Sequence, residues 1–189
     1  MNGRSSSITA LLVASLVLVG CGSSNGPLTE LPEPSAEATG PIESRLQASY
    51  SGSLIADIAG DGPSSRLSGD LRLDVDTDRG IQILAEADNF IVDVPDDGED
   101  IGGVFDLDGT LEGRGSVDTA AGTLEFGLMG TLGNADLSWE SADVALGATG
   151  SFFGESADQA GGTMTGDILF ADEGVGTMSG EFLVDRDAH

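Results

Sequence analysis

Chemistry-bearing side chains are few in this chain and fall in telling places. Cys21 is the only cysteine and closes the apolar run Leu18-Val19-Gly20-Cys21. That sequence has the pattern of a bacterial lipobox, in which the chain is cut before the cysteine and lipid is attached to its sulfur. Each buried acyl CH₂ contributes about 0.8 kcal/mol, so several chains make a stable anchor. A lone cysteine also excludes an internal disulfide framework and any cysteine-based metal cluster. His189 is the only histidine and the last residue. A serine triad needs a buried, oriented imidazole, and a zinc or haem-iron site needs a ligand set, so neither chemistry is expected.

Carboxylates are abundant, and abundance limits what they can prove. The chain has 33 Asp and Glu against 7 basic residues, all of them Arg. With so many acids, a pair at glycosidase spacing arises by chance. Asp74-Val75-Asp76-Thr77-Asp78-Arg79-Gly80 begins like a calcium loop. Arg79, however, displaces the glycine, and Glu86 falls one residue late for the closing ligand. A solvated strand face ending in a turn accounts for it better. Asp93-Val94-Pro95-Asp96-Asp97-Gly98-Glu99-Asp100 is a second acidic stretch, with weak cation binding as the lesser alternative to a solvated loop. No phosphate-cradling loop and no basic patch is present. The expectation is a chain that is not an enzyme and holds no cofactor and no metal.

The elements that carry these residues divide the chain in three. Met1–Gly20 reads as a secretion signal: Arg4 starts it, and Ile8–Val19 is apolar apart from Thr9 and Ser15. About a dozen apolar residues are too few to span a bilayer as a helix. Gly22, where Asp would favour the inner membrane, points to the bacterial outer membrane. Residues 21–44 are rich in Ser, Pro, Gly and Glu and lack hydrophobic periodicity, which predicts a disordered tether. Residues 45–189 suit one domain.

Past the signal, six basic residues face 33 acidic ones, a formal charge of about −27. Such a surface repels nucleic acid and anionic lipid headgroups. It suits a hydrated, soluble surface and leaves room for a basic partner.

From Leu46 onward the dominant period is two. Leu67, Leu71, Leu73 and Val75 alternate with Ser68, Asp70, Arg72 and Asp74, and Leu124, Phe126 and Leu128 with Thr123, Glu125 and Gly127. One buried face and one wet face are the mark of antiparallel strands. Strands are predicted over about 46–58, 66–76, 81–93, 103–117, 121–130, 133–140, 145–153, 162–171 and 175–185. Turn signals such as Asp78-Arg79-Gly80 and Gly133-Asn134 separate them. The fold class is therefore all-β. A meander of eight, up to nine, strands closing into a barrel is expected, and glycines within the strands favour closure over a sandwich. The wet face is too acidic for lipid, which excludes a porin-like span. Tyr50, alone of its kind, is expected in the core.

One segment departs from this alternation. In Gly150-Ser151-Phe152-Phe153-Gly154-Glu155-Ser156-Ala157-Asp158-Gln159-Ala160-Gly161-Gly162, Ser156 and Gln159 form a capping-box pattern that predicts a helical turn over 157–160, ended by the glycine pair. The same residues resemble the G-x-F-[FY]-G-P-x-A-x-E-x-G-G signature of the transferrin-binding protein B type β-barrel. Gly150, Phe152, Phe153, Gly154, Ala157, Gly161 and Gly162 match, while Glu155 and Gln159 depart from it. Val117–Leu124 and Gly176–Phe182 resemble the hairpin and last strand of that barrel, which is related to the barrel of factor H-binding protein. The resemblance implies a single-barrel surface lipoprotein that takes a host protein, haem or another small solute. In that family the signature is structural, so no binding residue is implied by it. Recognition is expected in Gly60–Ser65, Pro95–Gly103 and Gly133–Ser141. The alternative is an acidic, protective envelope lipoprotein with no specific ligand.

Overall fold

A computed structural model describes residues 28–60, 64–96, 102–137, 140–171 and 174–188. Among the described residues, the alternation of apolar and polar residues resolves into nine strands: β1 (Gln47–Ala59), β2 (Ser65–Asp76), β3 (Ile83–Val94), β4 (Gly103–Leu107), β5 (Leu111–Asp118), β6 (Thr123–Gly133), β7 (Ser141–Phe153), β8 (Gln159–Phe170) and β9 (Gly174–Arg186). All pairings are antiparallel, β1 pairs β9, and a β2–β3 pairing closes the sheet. The result is a closed eight-stranded barrel with β4 as an extra strand.

β4 and β5 lie end to end along one edge of β3. Phe90 of β3 faces Leu107 and Ala87 faces Leu111, so Asp108–Thr110 is an insertion between them. Gly109 turns the chain there at φ 129°, a conformation side-chain-bearing residues rarely adopt. Asp108 then exchanges backbone hydrogen bonds with Gly133 at 2.8 and 2.9 Å. The strand predicted over 103–117 is thus two strands joined by a kink.

The strand predicted over 133–140 is corrected. β6 runs to Gly133 and β7 starts at Ser141, and these two residues pair directly. Asn134 wins that contest: its Oδ1 accepts the Asp136 N–H at 2.7 Å, its backbone N–H reaches the Glu140 carbonyl at 3.0 Å, and the chain turns. Trp139 lies outside the described residues.

Inward positions fill the barrel with side chains. Tyr50, Leu54, Leu67, Leu73, Ile83, Phe90, Leu111, Leu128, Phe152 and Phe182 are all fully buried in one cluster. Phe126 and Phe182 meet edge to face at 5.2 Å. Where strands crowd, glycine takes the place of a side chain. At Gly113 of β5 a Cβ would collide with the Gly127 carbonyl of β6. Outward positions are mostly Ser, Thr, Asp and Glu. Among the described residues, no helix is long and apolar enough to cross a membrane.

The two ends of the barrel follow from its up-and-down order. One end holds the β1–β2, β3–β4, β6–β7 and β8–β9 connections and is called the loop end. The other holds the β2–β3, β5–β6 and β7–β8 turns.

The described part of the expected tether, Leu28–Ser44, is a second correction. It docks on the barrel as a strap. The Leu28 N–H reaches Ser68 Oγ at 3.2 Å, and Arg66 Nη1 donates to the Thr29 carbonyl at 2.7 Å. Leu31 covers Ile55 and Leu183, two outward-facing residues of β1 and β9. Ala38 bridges to Phe153, and the Thr39 and Ile42 N–H groups donate to Phe152 and Thr119 carbonyls at 2.8 and 2.9 Å. The strap thus runs down the flank and crosses the end opposite the loops, where Ile42 packs on the core. That end is called the strap end.

Candidate binding surfaces

At the strap end, the seven signature residues occupy the β7–β8 hairpin. Phe152 is fully buried, with its ring 5.9 Å from that of Tyr50. Tyr50 donates its hydroxyl to the Ala157 carbonyl at 2.8 Å, so burial leaves no polar atom unmatched. Burial pushes the Tyr50 phenol up to about 12, with Arg186 nearby opposing the rise and Asp158 adding to it.

The predicted helical turn over 157–160 is corrected. Residues 154–157 form a turn, Ala157 stands at φ 54°, and Gln159 opens β8. Gln159 does not cap a helix. Its Oε1 accepts from the Ser35 N–H and hydroxyl, both at 2.8 Å, and its Nε2 donates to Asp185 at 2.6 Å. Gly161 and Gly162 lie inside β8. Gly154, at φ 83°, donates its N–H to the Glu37 carbonyl and accepts the Thr39 hydroxyl at 2.6 Å. Phe153 faces outward beside Ala38, and Gly150 packs under the Phe182 ring. Phe152 and Ala157 are thus buried in the core, and Phe153 and Gly154 meet the strap.

The other hairpin of the resemblance, Val117–Leu124, turns on Asp118. Its Oδ1 accepts the Ala120 and Ala121 N–H groups at 2.9 and 3.1 Å, and Gly122 completes the turn at φ 69°.

The acid run after Asp74 is already partnered within the protein. Asp74 accepts the Ser49 hydroxyl at 2.6 Å and lies 3.5 Å from Arg72. Asp76 holds Arg79 at 2.8 Å and accepts the Asp78 N–H, while Asp78 sits 3.8 Å from Arg45. Among the described residues, no group of three potential metal ligands converges.

The three segments expected to recognise a partner join strands at one end, so the topology gathers Gly60–Ser65, Pro95–Gly103 and Gly133–Ser141 at the loop end. Residues 61–63, 97–101 and 138–139 within them lie outside the described residues. Asn134 Nδ2 ties the β6–β7 loop to the Asp106 carbonyl of β4 at 2.6 Å.

The outer wall carries shallower features. A groove of about 840 Å³ beside the β2–β3 hairpin is bordered by Ile81 and Leu84, 43% and 47% exposed, and by Asp74 and Arg79. A second depression of about 470 Å³ runs over Gly127 and Gly147, with Thr149, Thr163 and Thr165 around it. On the flank under the strap, Arg66 pairs with Asp57 at 2.8 Å, and that hydrogen bond raises its pKa.

Sequence reading missed the strap. Its signal was present in Leu28, Leu31 and Ile42, the large apolar residues of an otherwise Pro- and Glu-rich stretch, and in Ile55 and Leu183, which break the wet face of their strands. Cys21 and His189 lie outside the described residues. No protein-family model matches the chain, and a search of curated proteins finds no match.

Proposed function

We propose that this protein is a lipid-anchored binding module of the bacterial outer membrane. In this reading it belongs with the transferrin-binding protein B-like surface lipoproteins and serves uptake of a nutrient such as iron. Cys21 carries the lipid, and the barrel presents the loop end to a host protein, haem or another small solute. The observation that carries the reading is the pairing of a side-chain-filled barrel with three candidate loops at one end. A filled eight-stranded barrel holds no ligand in its lumen, which leaves recognition to loops and outer faces.

A filled lumen and a formal charge of −26 also favour a second reading, a hydrated acidic spacer without a ligand. The test is capture of partners by the soluble chain from Gly22 to His189, which keeps the strap. Saturable binding of transferrin, haemoglobin or haem, weakened by loop-end substitutions, supports the first reading. Absence of binding to all three sinks the iron-uptake version and favours the spacer.

A further inference from the structure

The strap changes where an anchor at Cys21 would take hold of the barrel. Without docking, the leash would leave the strap end at Gln47, 26 residues after Cys21. With docking, it leaves the flank at Leu28, seven residues after Cys21. Seven extended residues reach at most about 25 Å. The exit point beside Ser68 is three residues from the loop-end start of β2 and eight from its other end. At about 3.3 Å per residue and a strand tilt of about 40°, it lies roughly 8 Å along the barrel axis from the loop-end rim and roughly 20 Å from the strap-end rim, so only a nearly fully extended leash reaches lipid past the strap end.

Three contacts fix that exit. Leu31 sits on Ile55 and Leu183, Arg66 donates to the Thr29 carbonyl, and Ser68 Oγ accepts from Leu28. Ser68 is 4% exposed although it points away from the lumen, as strap cover requires. Further on, Ala38, Thr39 and Ile42 fasten the strap across the opposite end.

We infer that the strap is an orienting clasp: it holds the loop end of the barrel towards the lipid surface and turns the strap end outward. This inference rests on the lipid-anchor reading of Cys21. Its consequence is that the loops meet partners at the membrane surface, such as an integral membrane protein beside the anchor. A host protein or solute taken by the loops is then held at the membrane surface, within reach of such a protein. Releasing the strap returns the exit to Gln47 and lets the barrel turn over.

The test uses the full lipidated chain in phosphatidylethanolamine–phosphatidylglycerol vesicles carrying a headgroup quencher. Acylation consumes the Cys21 thiol, so one added cysteine is the only site for a dye. Ala59→Cys reports the loop end and Ala120→Cys the turn at the strap end, both at exposed positions. The expected result is quenching at least twofold stronger at position 59 than at 120, with the difference abolished by Leu31→Asp. Leu31 lies outside the main core, so this change leaves the barrel folded. Thr39→Pro, which removes the donor to the Phe152 carbonyl, is the second release variant. Equal quenching at the two sites, or a difference that survives both release variants, overturns the inference. A chain that fails to float with vesicles overturns the anchor reading itself, and the inference with it. In that case amide exchange at Thr39 and Ile42 still shows whether the strap is docked.

Discussion

The two ends of the barrel are closed by different means. At the strap end, a hairpin, a buried phenol and a separate length of chain lock together: the Phe152 ring lies tilted against that of Tyr50, Tyr50 bonds Ala157, and the strap bonds Phe152, Gly154 and Thr119. At the loop end, the core is topped by strand residues such as Phe90, Val92 and Leu132 and by Leu137 of the β6–β7 connection, in a sequence otherwise mostly polar and acidic. Among the described residues, a separate length of chain crosses one end, while the other is topped by its own strands and by Leu137. That contrast is what a scaffold with one interactive end requires.

The contrast breaks most visibly at Phe152. Truncating a fully buried phenyl group leaves a cavity between β7, β1 and the strap. Phe152→Ala is expected to cost about 3–5 kcal/mol in denaturant unfolding. Tyr50→Phe keeps the ring but strips the Ala157 carbonyl of its donor, an expected loss of about 1–2 kcal/mol.

Tyr50 also gives the strap end a pH signature. Its phenol is held up to about 12 in the folded protein against 10 in the unfolded chain. The neutral form therefore favours folding: its stabilisation is complete below pH 10 and is lost as pH rises from 10 towards 12, on the order of 2 kcal/mol in all. Unfolding midpoints measured across that window should fall in the natural chain and fall less steeply in Tyr50→Phe. Equal slopes would remove Tyr50 from the account.

Smaller effects sharpen the other side of the comparison. Asn134→Ala removes the loop-end clasp to Asp106 and the turn bond to Asp136, for an expected loss of about 1 kcal/mol. A cost equal to that of Phe152→Ala would mean the two ends are equally structural. Arg72→Ala, on the exposed wall with a 3.5 Å contact to Asp74, should shift stability by less than about 0.5 kcal/mol in the same measurement.

The barrel could be read from the sequence because its period-two pattern is nearly unbroken: one face must be buried, and a one-residue slip would expose it. The reading failed where side chains serve something other than that pattern. Asp108-Gly109-Thr110 continues the alternation, yet Gly109 kinks the chain so that Asp108 can pair with Gly133. Leu137 and Trp139 alternate like a strand, but two positions are outweighed by the Asn134 turn. These two misreadings offset each other: nine strand segments are predicted, and nine are present among the described residues on different boundaries, while the expected eight-stranded barrel stands. Ser156 and Gln159 have capping-box spacing, but Gln159 is claimed by Ser35 and Asp185. Ser35 is distant in sequence, and only folding brings it near. The strap escaped for the same reason. Its composition is that of a coil, and its docking depends on Ile55 and Leu183, which a local pattern cannot pair with Leu31.

The central claim is that this barrel works on a lipid anchor. Membrane fractionation of the natural chain and of Cys21→Ser, with the mass of the N-terminal peptide read in parallel, tests it most directly. The account predicts a natural chain that begins at an acylated Cys21 and pellets with membranes, and a variant that is unacylated and released. An unmodified Cys21, or a Cys21→Ser protein that stays with the membrane to the same extent, would contradict it.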